Sequence, residues 1–152
     1  MDVIFDIDGT LLDITHRVHL IRPAEGTRKD WQSFRARAVD DVPIQPIVNV
    51  ARALHSAGHR IAYCTGRMLK EYALTLASLK AAGLPMASPG IKAIYMRMDD
   101  DLRADYLVKL ELLEHMKADG FYPELVFDDR NSVVSMWRSM NIRTCQVAPG
   151  DF

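Results

Sequence analysis

Four short apolar runs and a fifth mixed one decide most of what this chain can fold into. They are Val3-Ile4-Phe5, Ile61 to Cys64, Ala93 to Met96, Leu125-Val126-Phe127 and Arg143 to Val147. Each is too short for a helix and reads as a buried strand. Helical patterns fill the gaps. Ile47, Val50, Ala51 and Leu54 form one stripe, opened by Pro46 and stopped by Gly58. Leu69, Tyr72, Ala73, Leu76 and Leu79 predict a second helix over about 69–82, stopped by Gly83. A third runs from about 104 to 118 before Gly120, and Val133, Val134, Trp137 and Met140 mark a fourth. Alternating strands and helices imply right-handed crossovers and an α/β fold, a parallel sheet of about five strands covered on both faces. Ligands then bind outside the carboxyl ends of the strands.

Three polar clusters stand at those ends. The first is Asp6-Ile7-Asp8-Gly9-Thr10-Leu11. Strand alternation points Asp6 and Asp8 the same way, and two bare carboxylates need a counter-charge. A hard divalent cation with oxygen ligands supplies one. Gly9 allows a sharp turn and close approach of a ligand. The plainer alternative is a strand ending in a polar Asp-Gly turn. The second cluster is Thr65-Gly66-Arg67 and the third Asp128-Asp129. Asp6, Asp8 and Asp128 suit one magnesium ion, which takes a few carboxylates plus phosphate oxygens. Thr65, Arg67 and Lys109 offer a hydroxyl and two cations to a phosphoryl group. Carboxylate nucleophile, cation and phosphate clamp together spell phosphoryl transfer. Taken singly, Thr65-Gly66-Arg67 is also an ordinary strand-to-helix turn. Lys109 also fits a surface ion pair with Asp105 at i, i+4, and Asp128-Asp129 a solvated turn.

Residues 14 to about 44 read as a small helical insertion standing over the first cluster. Ile14, Val18 and Ile21 form a stripe, with His16, Arg17 and Arg22 off it, and Pro23 and Gly26 end the helix. Asp30 is a good N-cap for a second helix burying Trp31, Phe34 and Ala38. Trp31, Phe34 and Trp137 read first as core. His16 and His19 have the i, i+3 spacing of a metal pair, but they read first as exposed residues of the insertion helix, since nothing supplies further ligands. Between Ile14 and Val39 six basic residues face two acidic ones, a local +4; with the chain at −1, the remainder carries −5. That marks a binding face. The 152 residues make a single domain, 1–152, including this insertion. Cys64 and Cys145 read as small buried hydrophobes, which fits a reducing, cytoplasmic setting. No run reaches membrane-spanning length and no leader pattern opens the chain, so no membrane partner is expected.

The order of Asp6-Ile-Asp-Gly-Thr10, Thr65-Gly-Arg67, Lys109 and Asp128-Asp129 resembles the four motifs of the haloacid dehalogenase (HAD) superfamily of phosphohydrolases. The resemblance implies a Rossmann-like HAD fold with the first strand central. It implies that Asp6 is the nucleophile, forming an aspartyl-phosphate, and that Asp8 protonates the leaving oxygen and then activates water. Thr65 and Lys109 would hold phosphoryl oxygens. Asp6, the Asp8 carbonyl and Asp128 would bind Mg2+, with Asp129 helping through water. The second half is similar more narrowly to the 3′-phosphatase domain of phage polynucleotide kinase/phosphatases. Asp101-x-Arg103-x-Asp105-x-x-Val-Lys109, Phe127-Asp-Asp-Arg-Asn-Ser-Val-Val-x-Met-Trp-Arg138 and the closing Gln146-Val-Ala-Pro-Gly-Asp-Phe152 carry that likeness. It implies removal of 3′-phosphates from polynucleotide ends, as part of nucleic acid end repair. Gly66 and Arg67 would face the phosphate or substrate, with Arg103 and Arg130 as further candidates. No Gly-x-x-x-x-Gly-Lys-Ser/Thr loop occurs, so no kinase half is expected in this chain. The insertion, with Thr27-Arg-Lys-Asp-Trp31, departs from the pattern of those domains, and it lies where superfamily members set substrate choice.

Two other readings compete. A phosphatase of free nucleotides or other small phosphomonoesters would use the same motifs under a closed insertion. A non-catalytic phospho-acceptor domain of the receiver type would place its acceptor at the third strand, and residues 93–98 offer none.

Overall fold

Strand β1 (Asp2–Phe5) is the centre of the sheet, because its apolar run Val3-Ile4-Phe5, buried throughout, needs cover on both faces and pairing on both edges. The computed structural model describes residues 1–22, 24–86 and 90–152. In it β1 pairs in parallel with β4 (Arg60–Met68) on one side and β6 (Pro123–Asp128) on the other. β5 (Ile94–Arg97) and β7 (Arg143–Gln146) complete the order β5-β4-β1-β6-β7. This is the α/β sheet of five parallel strands that the alternation predicts.

Helices cover both faces. Val3 and Phe5 point to the face formed by α3 (Gln45–Ser56) and α4 (Tyr72–Ala81), with Val48, Ala51 and Leu79 beneath them. Ile4 points the other way, onto α5 (Asp105–Ala118) and α6 (Asn131–Ser139), where Val108, Leu113, Val133 and Trp137 pack. Phe5 and Phe127 are register partners, and their rings stack with centroids 4.5 Å apart and planes 1° from parallel. The next residue on each strand is an aspartate, so this stack sets Asp6 beside Asp128.

After β1 the chain turns through Gly9 into β2 (Leu12–Asp13), which pairs antiparallel with β3 (Val42–Pro43). This ribbon frames the segment holding α1 (Thr15–Val18), α2 (Trp31–Ala36) and a 3₁₀ turn at Arg37–Asp40. A small cluster of Ile14, Ile21 and Phe34 is its core, with Phe152 packed on it. Asp30 caps α2 as expected, its side chain accepting from the Ser33 N–H at 3.0 Å. Pro23, one of the two expected stops of the first insertion helix, lies outside the described residues.

Several burial expectations are corrected. Val50 is exposed and Val48 buried, because the α3 stripe runs through 44, 48 and 51, with Ile47 and Leu54 on its flanks. In α4 the inward residues are Thr75 and Leu79, whereas Leu69, Tyr72 and Ala73 face solvent. A 3₁₀ turn at Leu69–Glu71 precedes α4 and rotates its start. Met140 and Cys145 are exposed, Cys145 because β7 is an edge strand with one neighbour. No helix among the described residues is long and apolar enough to cross a membrane.

Candidate active site

The carboxyl ends of β1, β4 and β6 and the first turns of α5 converge on one polar centre. Lys109 is its hub. On α5 it occupies the face that also buries Val108, Leu112 and Leu113, so its ammonium is carried inward beneath the sheet ends. Its Nζ donates to Asp6 Oδ1 at 2.6 Å and Asp128 Oδ2 at 2.9 Å. Asp105 Oδ2 stands 3.7 Å away, so the i, i+4 pair exists but is the weakest of the three, and it is not at the surface. Asp6, Asp128 and Asp129 are all buried and place one oxygen each within 4.8 Å of one another. Trp137 Nε1 donates to Asp128 Oδ2 at 3.2 Å, which orients that carboxylate.

One ammonium does not neutralise three carboxylates. Burial pushes Asp6 well above the usual range, and Asp128 and Asp129 add to this against the pull of Lys109. Burial and Asp128 push Asp129 up to about 7. Lys109 is raised in turn, the attraction of Asp128 and Asp6 outweighing its own burial. The charge imbalance is what an additional cation would correct. The donor set fits a hard divalent ion, being carboxylate oxygens only. The turn also leaves room for them. Gly9 has φ +82°, and a methyl group there would sit 2.2 Å from Asp129 Oδ2.

Asp8 lies in a different field. Arg67 Nη2 donates to Asp8 Oδ1 at 2.6 Å and Arg17 Nη2 to the same oxygen at 2.7 Å. Burial opposes ionisation there, but Arg67 and then Arg17 win, holding Asp8 at about 2. Both arginines also reach one further carboxylate, Asp41 Oδ2, at 2.5 Å from Arg17 and 2.8 Å from Arg67. Arg17 is fully buried; its Nε donates to Asp41 Oδ1 at 2.7 Å and its Nη1 to the Phe34 carbonyl at 3.2 Å. The expectation that Arg17 lies off the buried stripe is therefore wrong. It stands three residues after Ile14 and four before Ile21, on the apolar face. An arginine on such a face is the available sequence signal for a buried ion pair. One of the six insertion cations thus faces inward. His16 hydrogen-bonds Asp41 at 2.8 Å.

Thr65 is buried, and its Oγ1 accepts from the Arg67 N–H at 3.2 Å, which leaves the hydroxyl proton free to donate. Gly66 is close-packed, since a methyl group there would lie 2.1 Å from Asp105 Oδ1. Arg97, absent from the sequence expectations, ties this corner together. It donates to the Gly66 carbonyl at 2.9 Å and to Asp105 Oδ1 at 3.1 Å. Arg103 is half-exposed at the rim and pairs with Asp101 and Glu111. Arg130 stacks on Phe152 at 4.6 Å and lies 3.6 Å from Asp105. Asp6, Asp8, Arg67, Lys109, Asp129 and Arg130 border one cavity of about 630 Å³ between the sheet ends and the 14–41 segment.

Comparison with known proteins agrees with this architecture. Residues 1–152 match the family described as the polynucleotide kinase PNKP phosphatase domain. A chain of the Pnkp1/Rnl/Hen1 RNA repair complex superposes with a TM-score of 0.81 at 27% identity, over 99% of this chain and 43% of that one. The class C acid phosphatase of Bacillus anthracis gives 0.66 at 15% identity, over 99% and 66%, a likeness of fold alone. A putative bifunctional polynucleotide kinase/RNA ligase of Autographa californica nuclear polyhedrosis virus is 41% identical over 51 residues, 34% of this chain and 7% of that protein. The chain spans less than half the length of the first of these structures and a small part of the viral relative. With its family match running from the first residue to the last, the chain belongs to the PNKP phosphatase domains, enzymes of the HAD fold.

Proposed function

We propose that this domain hydrolyses phosphomonoesters at the 3′ ends of polynucleotides, with Mg2+, through a phosphate carried on Asp6. The observation that carries the reading is the buried set Asp6, Asp128 and Asp129 around Lys109, with Asp8 set apart between two arginines. Bound Mg2+, held by Asp6, Asp128, Asp129 and the Asp8 carbonyl, would offset their charge and withdraw charge from the phosphoryl oxygens.

An Asp6 oxygen attacks phosphorus, and the bond from phosphorus to the ester oxygen breaks. Asp8 gives its proton to that oxygen. Water then attacks the acyl phosphate, Asp8 takes the water proton, and phosphate leaves with the Asp6 carboxylate restored. Lys109 and the Thr65 hydroxyl hold the phosphoryl oxygens. Asp8 can act as an acid only if its two guanidinium partners loosen. An arriving phosphate dianion competes for Arg17 and Arg67, so substrate binding itself frees Asp8 to hold a proton. We read residues 14–44 as a cap that supplies Arg17 and Asp41 to this exchange.

The deciding assay compares, with Mg2+, a 3′-phosphorylated oligonucleotide, its 5′-phosphorylated isomer, and 3′- and 5′-mononucleotides. The 3′-phosphorylated oligonucleotide is expected to be the best substrate, and a preference for mononucleotides would overturn the polynucleotide assignment. Chelation of divalent cations should abolish turnover and Mg2+ restore it. Saturating Mg2+ at about 100 times its Kd adds about 2.7 kcal/mol, so the thermal midpoint should rise by roughly 5 to 10 °C. Asp129→Asn should blunt that rise, and an undiminished rise would remove Asp129 from the ligand set.

A further inference from the structure

The catalytic cavity is lined by two exposed apolar side chains from separate segments, Trp31 and Leu102. Trp31, on the 14–41 segment, is 41% exposed although the helical stripe predicts it as core. Its ring stands at 88° to that of Phe34 with centroids 5.8 Å apart, a T-shaped contact that fixes its plane. Lys29 Nζ lies 5.6 Å from the ring centroid. Lys29 and Arg35, on the same segment, have no carboxylate partner among the described residues. Leu102, which follows β5 and lines the same cavity, is 85% exposed, more than any other large hydrophobic among the described residues.

Leu102 is not on a loose loop. Arg97 Nη1 donates to the Asp101 carbonyl at 3.0 Å and the Arg103 carbonyl at 2.7 Å, clamping the backbone on both sides of it. Asp101 Oδ1 further accepts the Arg103 N–H at 3.0 Å. A leucine held rigidly in solvent gains nothing for the fold. Tyr106, half-exposed on the first turn of α5, lines the cavity as well. Exposed apolar side chains from two segments, with cations that lack a carboxylate partner beside one of them, suit a flat, uncharged ring attached to a phosphodiester backbone. They do not suit a sugar phosphate or a phosphoamino acid.

We propose that Trp31 and Leu102 are the two jaws of a nucleobase subsite, gripping the unpaired base of the nucleotide that bears the phosphate. The inference rests on the 3′-phosphatase reading and deepens it. A base held between jaws is neither stacked on its neighbour nor paired, so the subsite selects single-stranded or frayed ends over recessed duplex ends.

The test uses steady-state hydrolysis of two single-stranded oligonucleotides with 3′-phosphates, one ending in a normal nucleotide and one in an abasic residue. The wild type should favour the normal end by roughly 5- to 150-fold in kcat/KM, the range that base–aromatic stacking yields, with most of the difference in KM. Trp31→Ala and Leu102→Ala should each reduce that preference, the double variant should bring it close to one, and Trp31→Phe should restore most of it. Equal losses on both substrates would make Trp31 a structural residue and overturn the subsite. So would a wild type indifferent to the base, which leaves the phosphatase reading standing. A wild type inactive on both 3′-phosphates overturns the phosphatase reading and the subsite with it.

Discussion

Asp6→Asn is expected to remove hydrolysis by at least about 10⁴-fold, the scale on which enzymes lose activity when a nucleophile is deleted, while leaving the fold no less stable. The two halves of that expectation have one cause. In the wild type three buried carboxylates share one ammonium, and burial raises Asp6 against the attraction of Lys109. Converting Asp6 to the neutral amide removes one repelling charge. Lys109 keeps Asp128 at 2.9 Å, so no buried cation is stranded. The variant therefore separates chemistry from folding. Denaturant unfolding should give a midpoint equal to or above that of the wild type, and the 3′-phosphate assay should give no turnover. Retained turnover would exclude Asp6 as the nucleophile, and a large drop in midpoint would mean that Lys109 depends on Asp6 more than on Asp128.

Asp41→Ala should do the opposite, damaging stability first. Asp41 is fully buried at its carboxylate and accepts from Arg17 and Arg67. Without it, two buried guanidiniums converge on Asp8 alone. Removing one partner of a buried ion pair costs about 3–5 kcal/mol, a sizeable share of the roughly 5–15 kcal/mol that holds a domain together. Because Asp41 follows the 3₁₀ turn next to the β2–β3 ribbon, the damage should localise to the 14–41 segment. Hydrogen exchange there should accelerate before that of the central sheet. Turnover should fall as well, since Asp8, Arg17 and Arg67 lose their common anchor. Asp41→Asn, which keeps an acceptor oxygen, should lie between wild type and alanine. A loss below about 1 kcal/mol for Asp41→Ala would place this network among surface pairs of little consequence.

What could be read from the sequence follows the reach of each signal. The sheet was legible because strands and helices differ in period over a few residues, and the order of the polar clusters at the strand ends marked the site. Local motifs single out Asp6, Thr65, Lys109 and Asp128 as candidates, and the fold brings them to the same sheet ends. No motif singles out Asp41, because its partners are 24 and 26 residues away and nothing local distinguishes it from the solvated Asp40 before it. Arg97 escaped notice for the same reason: it acts mainly on backbone carbonyls, which no sequence pattern displays. Trp31 and Val50 failed differently. A residue on an apolar stripe is buried only if something packs there. At Trp31 the neighbouring space is the cavity, while α3 turns Val48 inward in place of Val50.

The face-to-face stack of Phe5 on Phe127 has a kinetic consequence. It joins the first strand to the sixth, and the centre it assembles links Asp6 to Lys109 across 103 positions of chain. Contacts of such sequence separation form slowly, since a long loop must close before they stabilise anything. No intermediate lacking β6 can bring Asp128 to Lys109 and Asp6. Recovery of hydrolysis during refolding should therefore lag behind helix formation and mark the moment when the two ends of the chain meet.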